Sequence, residues 1–337
     1  MSLLILPLLF ALSLLLGLYF TPIARQAALR FGIVDRPDGH LKQQRAPVPY
    51  LGGLAVFLAY LVSLGMVLQF DRLLLGLLLA GTLTLLVGLV DDFGVLTPLA
   101  KLFGQGVAVF ALLRSGAVIE LAEVPDPLRW PLAALWLLAV ANAFNLLDIL
   151  DGLAAGVGAI AALAMAVVAA HGQQTGLAAA SVALAGALLG FAVINFHPAQ
   201  IYLGDAGSLA VGITLGAIAL AIRWSEDSPT GFLAPLVILA VPLADTAYVS
   251  VLRARAGKPF WHGSPDHFPL RLRQRLGGSV RKAVAACYLL AAGGAATGLA
   301  AVLLERWEIA LAALGGYLVA VACLLVYLVR FPVEAGE

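Results

Sequence analysis

Residues 130–170 read WPLAALWLLAVANAFNLLDILDGLAAGVGAIAALAMAVVAA, two long apolar runs separated by a short polar stretch. Each run approaches the roughly 20 residues that an α-helix needs to cross the hydrocarbon core of a bilayer. Asp148, Asp151 and Gly152 lie between the runs, where charge and a flexible backbone are easiest to accommodate. The segment therefore predicts two membrane-spanning helices joined at the membrane surface by an acidic turn.

The rest of the chain repeats this pattern. Hydrophobic residues make up 62% of the sequence and charged residues 12%, about half of what an average soluble domain carries. We predict an all-α, polytopic integral membrane protein forming a single domain over residues 1–337. Its eleven predicted spans are 3–22, 50–70, 73–90, 98–114, 130–147, 153–170, 175–194, 208–223, 231–252, 283–304 and 308–329. We interpret 3–22 as the first span rather than a cleaved leader, because no basic residue precedes it.

The basic residues are distributed unequally between the two sides of these spans. One side, which includes 23–49, 91–97, 148–152, 195–207 and 253–282, carries 15 of the 20 Lys and Arg residues. The positive-inside rule makes that side cytoplasmic. The N-terminus is then predicted outside and the C-terminus inside, and the five connections form the predicted active-site face.

Aspartates cluster at the cytoplasmic ends of the predicted helices. An ionisable side chain at membrane depth costs roughly 2.5–3.5 kcal/mol on insertion scales, so several together indicate function. Any one of them could instead cap a helix or pair with an arginine. The cluster comprises Asp91, Asp92, Asp148, Asp151 and Asp205, and Asp245 lies towards the same end of the ninth span.

The spacing of polar residues around 142–152 suggests a shared surface. Asn142, Asn145, Asp148 and Asp151 recur every three residues, which on a helix gives a slowly drifting stripe. We predict that this stripe faces a cytoplasmic cleft. Oxygen ligands without cysteine favour Mg²⁺, with Mn²⁺ as an alternative, and the ion would share its coordination with substrate phosphates.

Two further segments carry polar groups with possible binding roles. In LGDAGS, Ser208 is predicted to cap the eighth helix, whose N-terminus would favour an anion. In GSPDHFPLRLRQR, His267 and Arg271 are predicted to touch substrate, and Arg271 and Arg275 could share one helix face. The alternative is that the basic residues of this loop interact only with anionic lipid headgroups and do not contact substrate. We interpret His197 and His262 as structural.

In order along the chain, these motifs resemble the polyprenyl-phosphate N-acetylhexosamine-1-phosphate transferases, which belong to glycosyltransferase family 4. The family includes the phospho-MurNAc-pentapeptide translocases and the UDP-GlcNAc:undecaprenyl-phosphate transferases. The resemblance rests on PVPYLGG at 47–53, VDDFG at 90–94, NAFNLLDILDGL at 142–153, YLGDAGS at 202–208 and PLADT at 242–246.

The resemblance implies a reaction and its components. A sugar-1-phosphate would pass from a UDP-sugar to polyprenyl phosphate with release of UMP, in a bacterial cytoplasmic membrane, to begin cell-envelope glycan synthesis. It implies no nucleic-acid partner and leaves a homodimer open. The rivals are a secondary transporter and a lipid-binding scaffold, but transporters place their carboxylates near the bilayer midplane.

The resemblance also assigns roles to residues. Asp91 would lie nearest the lipid phosphate, Asp92 would support that site, and Asp205, with Asp92 as a second ligand, would bind Mg²⁺. Lys42 and Lys101 would contact phosphates. Asn145, Asp148 and Asp151 would line the nucleotide pocket, with Asn195 and Tyr202 near the uridine. Asn142 is also expected to bind substrate.

One segment departs from the family pattern. Relatives usually carry a cluster such as H-x-H-H in the last cytoplasmic loop, whereas this chain reads DHFPLRL at 266–272. Pro269 and Leu270 replace two histidines, and His267 and Arg271 would remain as donors to a substrate oxygen. The identity of the sugar is therefore the least determined part of the prediction.

Overall fold

The computed structural model describes residues 5–35, 47–66, 71–118, 124–224, 229–257, 265–304 and 306–331. The predicted phosphate contact Lys42 and the histidine His262 lie outside the described residues.

Helices dominate the described part of the chain. They are α1 (Ile5–Phe31), α2 (Gly52–Gly65), α3 (Arg72–Asp92), α4 (Pro98–Ser115), α5 (Asp126–Leu147), α6 (Leu153–His171), α7 (Thr175–Asn195), α8 (Gly204–Ala221), α9 (Ala234–Ile238), α10 (Ala240–Arg255), α11 (Phe268–Arg275), α12 (Val280–Leu303) and α13 (Trp307–Leu328). A 3-10 turn, Gly231–Leu233, precedes α9. Two short antiparallel strands, β1 (Val34–Asp35) and β2 (Val48–Pro49), pair Val34 with Pro49 and Asp35 with Val48.

Eight of these helices are long and apolar enough to cross a membrane, namely α1, α3, α5, α6, α7, α8, α12 and α13. The segment from Gly231 to Arg255 adds a ninth if its bent halves form one span. Each remaining predicted span coincides with a helix that is shorter (α2) or carries charge at both ends (α4). The prediction of an all-α polytopic membrane protein is confirmed.

The ninth predicted span, 231–252, is not a continuous helix. Its two halves meet at an angle of 67°, and α10 begins immediately after Leu239. Pro242 lies in the first turn of α10, where a missing N–H costs no intrahelical bond. A proline in the middle of an apolar run was the sequence signal for this break.

Helices α6, α7 and α8 form the most buried part of the bundle, and α13 is the most exposed. Small residues let α2 and α3 approach α8 closely, as is typical of membrane helix packing. A Cβ on Gly53 would lie 2.2 Å from the Gly207 nitrogen, and one on Gly88 would lie 2.4 Å from the Asp205 carbonyl carbon. These contacts fix the position at which α8 begins.

Candidate active site

Lys101 connects three helix ends at one end of the bundle. Its Nζ lies 2.7 Å from Asp91 Oδ2 at the end of α3 and 2.6 Å from Asp205 Oδ2 in the first turn of α8. It also donates to Asn145 Oδ1, near the end of α5, at 3.0 Å. The four side chains, from four different helices, form a partly exposed ionic cluster, which we call the lysine–carboxylate cluster.

Asn145 completes this network from its other side. Its Nδ2 donates to Asp205 Oδ1 at 2.8 Å and to Ser208 Oγ at 3.0 Å. Asp205 therefore receives a hydrogen bond on each carboxylate oxygen, one from an ammonium and one from an amide. Such bonds stabilise the ionised carboxylate and fix its orientation.

Asp92 holds the beginning of α8. Its Oδ1 accepts a hydrogen bond from the Asp205 backbone N–H at 2.8 Å, and its Oδ2 accepts one from Ala206 at 3.2 Å. A carboxylate there satisfies free N–H groups and complements the helix dipole. Asp92 thus caps α8 from another helix and places Asp205 beside Lys101. Its predicted role as a Mg²⁺ ligand stays a prediction.

Ser208 does not cap α8, contrary to the sequence-based prediction. The helix begins four residues earlier at Gly204, and Ser208 Oγ donates to the Gly204 carbonyl at 2.9 Å. The start moves because Gly204 adopts a φ of +75°, which lets the chain turn into the helix ahead of Asp205. This shift brings Asp205 into the first helical turn.

Asp148 adds a carboxyl group next to the cluster. Its pKa is raised to about 8, chiefly by burial and then by the negative charges of Asp205 and Asp92. A hydrogen bond from the Gly204 backbone lowers the pKa by less than these effects raise it. A cation bound nearby would favour the ionised form and oppose this shift. Asp148 is therefore mostly protonated near neutral pH and would ionise more readily with a cation bound beside it.

The predicted stripe from Asn142 to Asp151 is only partly formed, because α5 ends at Leu147. Asn145 reaches the lysine–carboxylate cluster. Asn142, about one turn deeper, exchanges hydrogen bonds with Gln105 at 2.7 and 3.3 Å. Asp148 and Asp151 lie beyond the helix end, so helical spacing no longer relates them to the two asparagines.

The turn at 148–152 packs against the segment after α7. Asp151 Oδ2 lies 2.6 Å from His197 Nδ1 and accepts a hydrogen bond from Ala199 N–H at 3.0 Å. Asn195 accepts from Gly152 N–H at 2.9 Å and donates to the Ile201 carbonyl at 2.8 Å. Asn195 is almost fully buried, and its side chain joins two segments of the site. The sequence offered no signal for the His197–Asp151 pair.

The PVPYLGG and YLGDAGS motifs are joined through their backbones. Tyr202 N–H donates to the Pro49 carbonyl at 2.8 Å, and the Tyr202 carbonyl accepts from Gly52 at 3.0 Å. Burial, followed by the charges of Asp151, Asp35 and Asp148, raises the pKa of Tyr202 to about 12. Its hydroxyl therefore stays protonated near neutral pH and can donate a hydrogen bond.

His267 and Arg271 belong to a second, buried polar group on α10, α11 and the end of α13. His267 Nδ1 lies 2.6 Å from Asp245 Oδ2, whose other oxygen accepts from Phe268 N–H at 2.9 Å. Arg271 pairs with Asp266 at 2.5 Å and donates to the Leu328 and Val329 carbonyls at 3.3 and 3.1 Å. Both side chains are engaged within the protein, and their predicted contacts with substrate stay predictions.

The lysine–carboxylate cluster offers oxygen donors suited to a hard cation. Among the described residues, no three acidic, histidine or cysteine side chains form a group that could hold a metal ion. Oxygens of Asp91, Asp205 and Asn145 all contact Lys101 Nζ. Such a sparse set fits Mg²⁺, which takes few protein carboxylates and completes its shell with water and substrate phosphates.

Comparisons with known proteins identify the family of the chain. The family model described as glycosyl transferase family 4 matches residues 74–223. A probable undecaprenyl-phosphate N-acetylglucosaminyl 1-phosphate transferase from Bacillus subtilis is 31% identical over 83% of this chain and 80% of its own length. A decaprenyl-phosphate N-acetylglucosaminephosphotransferase from Mycolicibacterium smegmatis is 34% identical over 83% and 79%. A phospho-N-acetylmuramoyl-pentapeptide-transferase from Heliobacterium modesticaldum is 36% identical over 78% and 86%.

Proposed function

The chain belongs to glycosyl transferase family 4, and on that premise we propose that it transfers a sugar-1-phosphate from a UDP-sugar to polyprenyl phosphate, releasing UMP. The donor we propose is UDP-GlcNAc or a related UDP-N-acetylhexosamine, and the acceptor is undecaprenyl phosphate or a similar lipid. The relatives support this transferase function and do not support the alternative of a secondary transporter. The proposed location is a bacterial cytoplasmic membrane, where the product would begin a cell-envelope glycan.

The observation that carries the proposal is the lysine–carboxylate cluster at the ends of α3, α4, α5 and α8. A phosphoryl transfer needs alignment and charge neutralisation more than covalent help. Lys101 supplies a fixed ammonium between Asp91 and Asp205. Because the cluster lies at helix ends, a lipid phosphate held at the membrane surface and a water-soluble nucleotide could both reach it.

The proposed reaction forms one bond and breaks one. An oxygen of the acceptor phosphate attacks the β-phosphorus of the UDP-sugar, and the bridging oxygen leaves with its electron pair on the α-phosphate of UMP. The acceptor oxygen is already anionic at neutral pH, so Asp91 need only orient it or accept a residual proton. Lys101 neutralises charge on the phosphates, and Asn145 keeps Asp205 in place.

A divalent ion fits the same place. We propose that Asp205 holds Mg²⁺, or Mn²⁺ in its stead, with Asp92 supporting Asp205 through the start of α8. When bound, the ion would neutralise diphosphate charge. We assign Asn145, Asp148 and Asp151 to the nucleotide pocket, with Asn195 and Tyr202 near the uridine. Asn142 remains a proposed substrate contact and Lys42 a proposed phosphate contact.

The direct test is turnover by the purified protein in detergent or nanodiscs. With Mg²⁺, undecaprenyl phosphate and UDP-GlcNAc or another UDP-N-acetylhexosamine, we expect UMP release that stops when either lipid or metal is omitted. UMP release without lipid would indicate a hydrolase. No release with any donor would contradict the proposed function, and sedimentation of the active preparation would test for a homodimer.

Asp205→Asn tests the proposed metal role. The substitution keeps the side-chain shape and the hydrogen bond with Asn145 but removes the charge. We expect a loss of about 100-fold or more in kcat, the size seen when one electrostatic contact to the transition state is removed, with thermal unfolding little changed. Near-normal activity at saturating Mg²⁺ would show that Asp205 is not the ligand.

A further inference from the structure

The acidic turn at 148–152 is held through both backbone polar groups of Gly152. The Gly152 N–H donates to Asn195 Oδ1 at 2.9 Å, and the Gly152 carbonyl accepts a hydrogen bond from the Tyr288 hydroxyl at 2.6 Å. Gly152 has a φ of +82°, a conformation that other residues rarely adopt. Tyr288 belongs to α12, far along the chain, so a distant helix fixes the shape of this turn.

The same turn is held through a side chain. Asp151 Oδ2 is shared by His197 Nδ1 at 2.6 Å and the Ala199 N–H at 3.0 Å. In the His197 tautomer that carries its proton on Nδ1, the ring donates to this oxygen. Within the described residues, Asp151 Oδ1 makes no hydrogen bond, and the Asp151 side chain is 20% exposed. One carboxylate oxygen is therefore anchored while the other is available.

His197 is itself tied to α12. Its backbone carbonyl accepts a hydrogen bond from Arg281 Nε at 3.1 Å, near the start of the helix that also carries Tyr288. Tyr288 thus binds the 148–152 turn, and Arg281 binds the segment that follows α7, so that α12 holds both segments. We call His197 and Tyr288 the turn clamp.

We propose that the turn clamp positions Asp151 for the donor, so that His197 and Tyr288 act in the reaction without touching substrate. This inference rests on the proposed function, in which the donor binds beside the 148–152 turn. The free Asp151 oxygen would accept a hydrogen bond from an N–H or O–H of the UDP-sugar. A donor binds more tightly when its contacts are already in place, because less conformational entropy is lost on binding.

The clamp has a kinetic signature that a general structural role lacks. The lysine–carboxylate cluster does not include His197 or Tyr288, so loosening the turn should weaken donor binding more than it slows the chemical step. We expect donor KM to rise while kcat and the acceptor KM change little. A merely destabilising substitution would reduce the amount of active protein. It would lower the apparent kcat and leave the KM values of donor and acceptor unchanged.

Tyr288→Phe is the first variant, since it removes one hydroxyl and keeps the ring. We expect its donor KM to rise about two- to tenfold, the range for one hydrogen bond. Tyr317→Phe, on α13, is the matched control. The Tyr317 hydroxyl donates to the carbonyl of Leu290 at 3.0 Å, and Leu290 lies on α12 outside the turn clamp. We expect its donor KM to equal that of the wild type.

The second pair of variants is His197→Phe and His197→Asn. Phenylalanine keeps the ring without its donor, whereas the asparagine amide can replace Nδ1–H. We expect about a tenfold rise in donor KM for the first and recovery to within about twofold of wild type for the second. Should His197→Phe fail to fold, Tyr288→Phe against Tyr317→Phe decides the question.

The outcomes separate the two proposals. An active wild type with donor KM unchanged in both Tyr288→Phe and His197→Phe overturns the clamp and leaves the proposed function standing. A fall in kcat alone, at constant donor KM, also overturns the clamp. A wild type that makes no lipid-linked product with any donor overturns the proposed function, and the clamp inference with it.

Discussion

Lys101 is the residue on which the electrostatics of the site depend. Its ammonium lies within 2.7 Å of carboxylate oxygens from both Asp91 and Asp205, and its side chain is only 17% exposed. Removing it would leave two close carboxylates without their shared counter-charge. Lys101 therefore serves both the architecture of the site and the phosphates that the site is proposed to bind.

Lys101→Gln should reduce kcat/KM by about 100-fold or more, because neutralisation of the phosphates is lost. Lys282→Gln, an exposed lysine near the start of α12, is the control and should retain full activity. Steady-state UMP release measures both. If Lys101→Gln kept at least half the activity of the wild type, the assigned role of Lys101 would be wrong.

Arg271 is either a buried residue that stabilises the fold or a residue that contacts substrate. The first role affects the unfolding temperature and the second affects the donor KM. Arg271 is buried, pairs with Asp266, stacks over Tyr248 at 5.6 Å and caps the end of α13. Arg271→Gln should therefore lower the unfolding temperature by about 5 °C, since buried acceptors lose their partner. Arg273→Gln, on the same helix but more exposed, should not.

The measurement is thermal unfolding in detergent together with donor KM. A rise in donor KM without loss of thermal stability in Arg271→Gln would instead support the substrate contact that the sequence predicts.

At the scale of helices, the site depends on how closely α3 approaches α8. Gly88 has no room for a side chain, since a Cβ would lie 2.4 Å from the Asp205 carbonyl carbon and oxygen. Backbone atoms cannot move aside as a flexible side chain could. The separation of the two helices, and with it the cap from Asp92 to α8, is set by this glycine.

Gly88→Ala should force α3 and α8 apart, lowering both the unfolding temperature and turnover. Gly106→Ala is the control: Gly106 lies within α4 with nothing within 4 Å of its would-be Cβ. There the change should stabilise the helix by roughly 0.5–1 kcal/mol. Differential scanning calorimetry and UMP release of both variants test this prediction. A Gly88→Ala protein as stable and active as the wild type would contradict the inference that α3 and α8 pack too closely for a side chain at residue 88.

The helices themselves could be predicted from hydropathy, but their ends could not. Predicted spans coincide with helices because twenty apolar residues have one stable form in a bilayer. The start of α8 at Gly204, the end of α5 at Leu147 and the break before α10 depend on tertiary contacts and on Pro242. Since the site is built from helix ends, these boundaries decide which predicted residues meet.

The sequence predicted which residues belong to the candidate site better than it predicted which of them contact each other. Sequence position indicated that Asp91, Asp205, Asn145 and Lys101 share one membrane side. It could not indicate that Lys101 lies between two aspartates, that Asp92 caps α8, or that Asp245 pairs with His267. Each of these contacts joins residues far apart in the chain, and no local periodicity encodes them.

On the scale of the whole molecule, orientation decides whether the site can meet its proposed donor. The bias of 15 against 5 basic residues predicts that the ends carrying the lysine–carboxylate cluster face the cytoplasm. A reporter fused after Arg330 should read cytoplasmic, and one inserted within 115–129 should read external. The reverse pattern would place the site away from the cytoplasmic nucleotide sugars and would contradict the enzyme function proposed here.

The proposed reaction breaks the bond between the two phosphates of the donor, and a label in the donor's β-phosphate shows whether this bond is the one that breaks. The purified protein would be incubated with Mg²⁺, undecaprenyl phosphate and UDP-N-acetylhexosamine carrying ³²P in the β-position, followed by phase separation. We expect the label in the lipid phase, with unlabelled UMP released in equal amount. Label retained in water-soluble UDP, with sugar alone on the lipid, would contradict it.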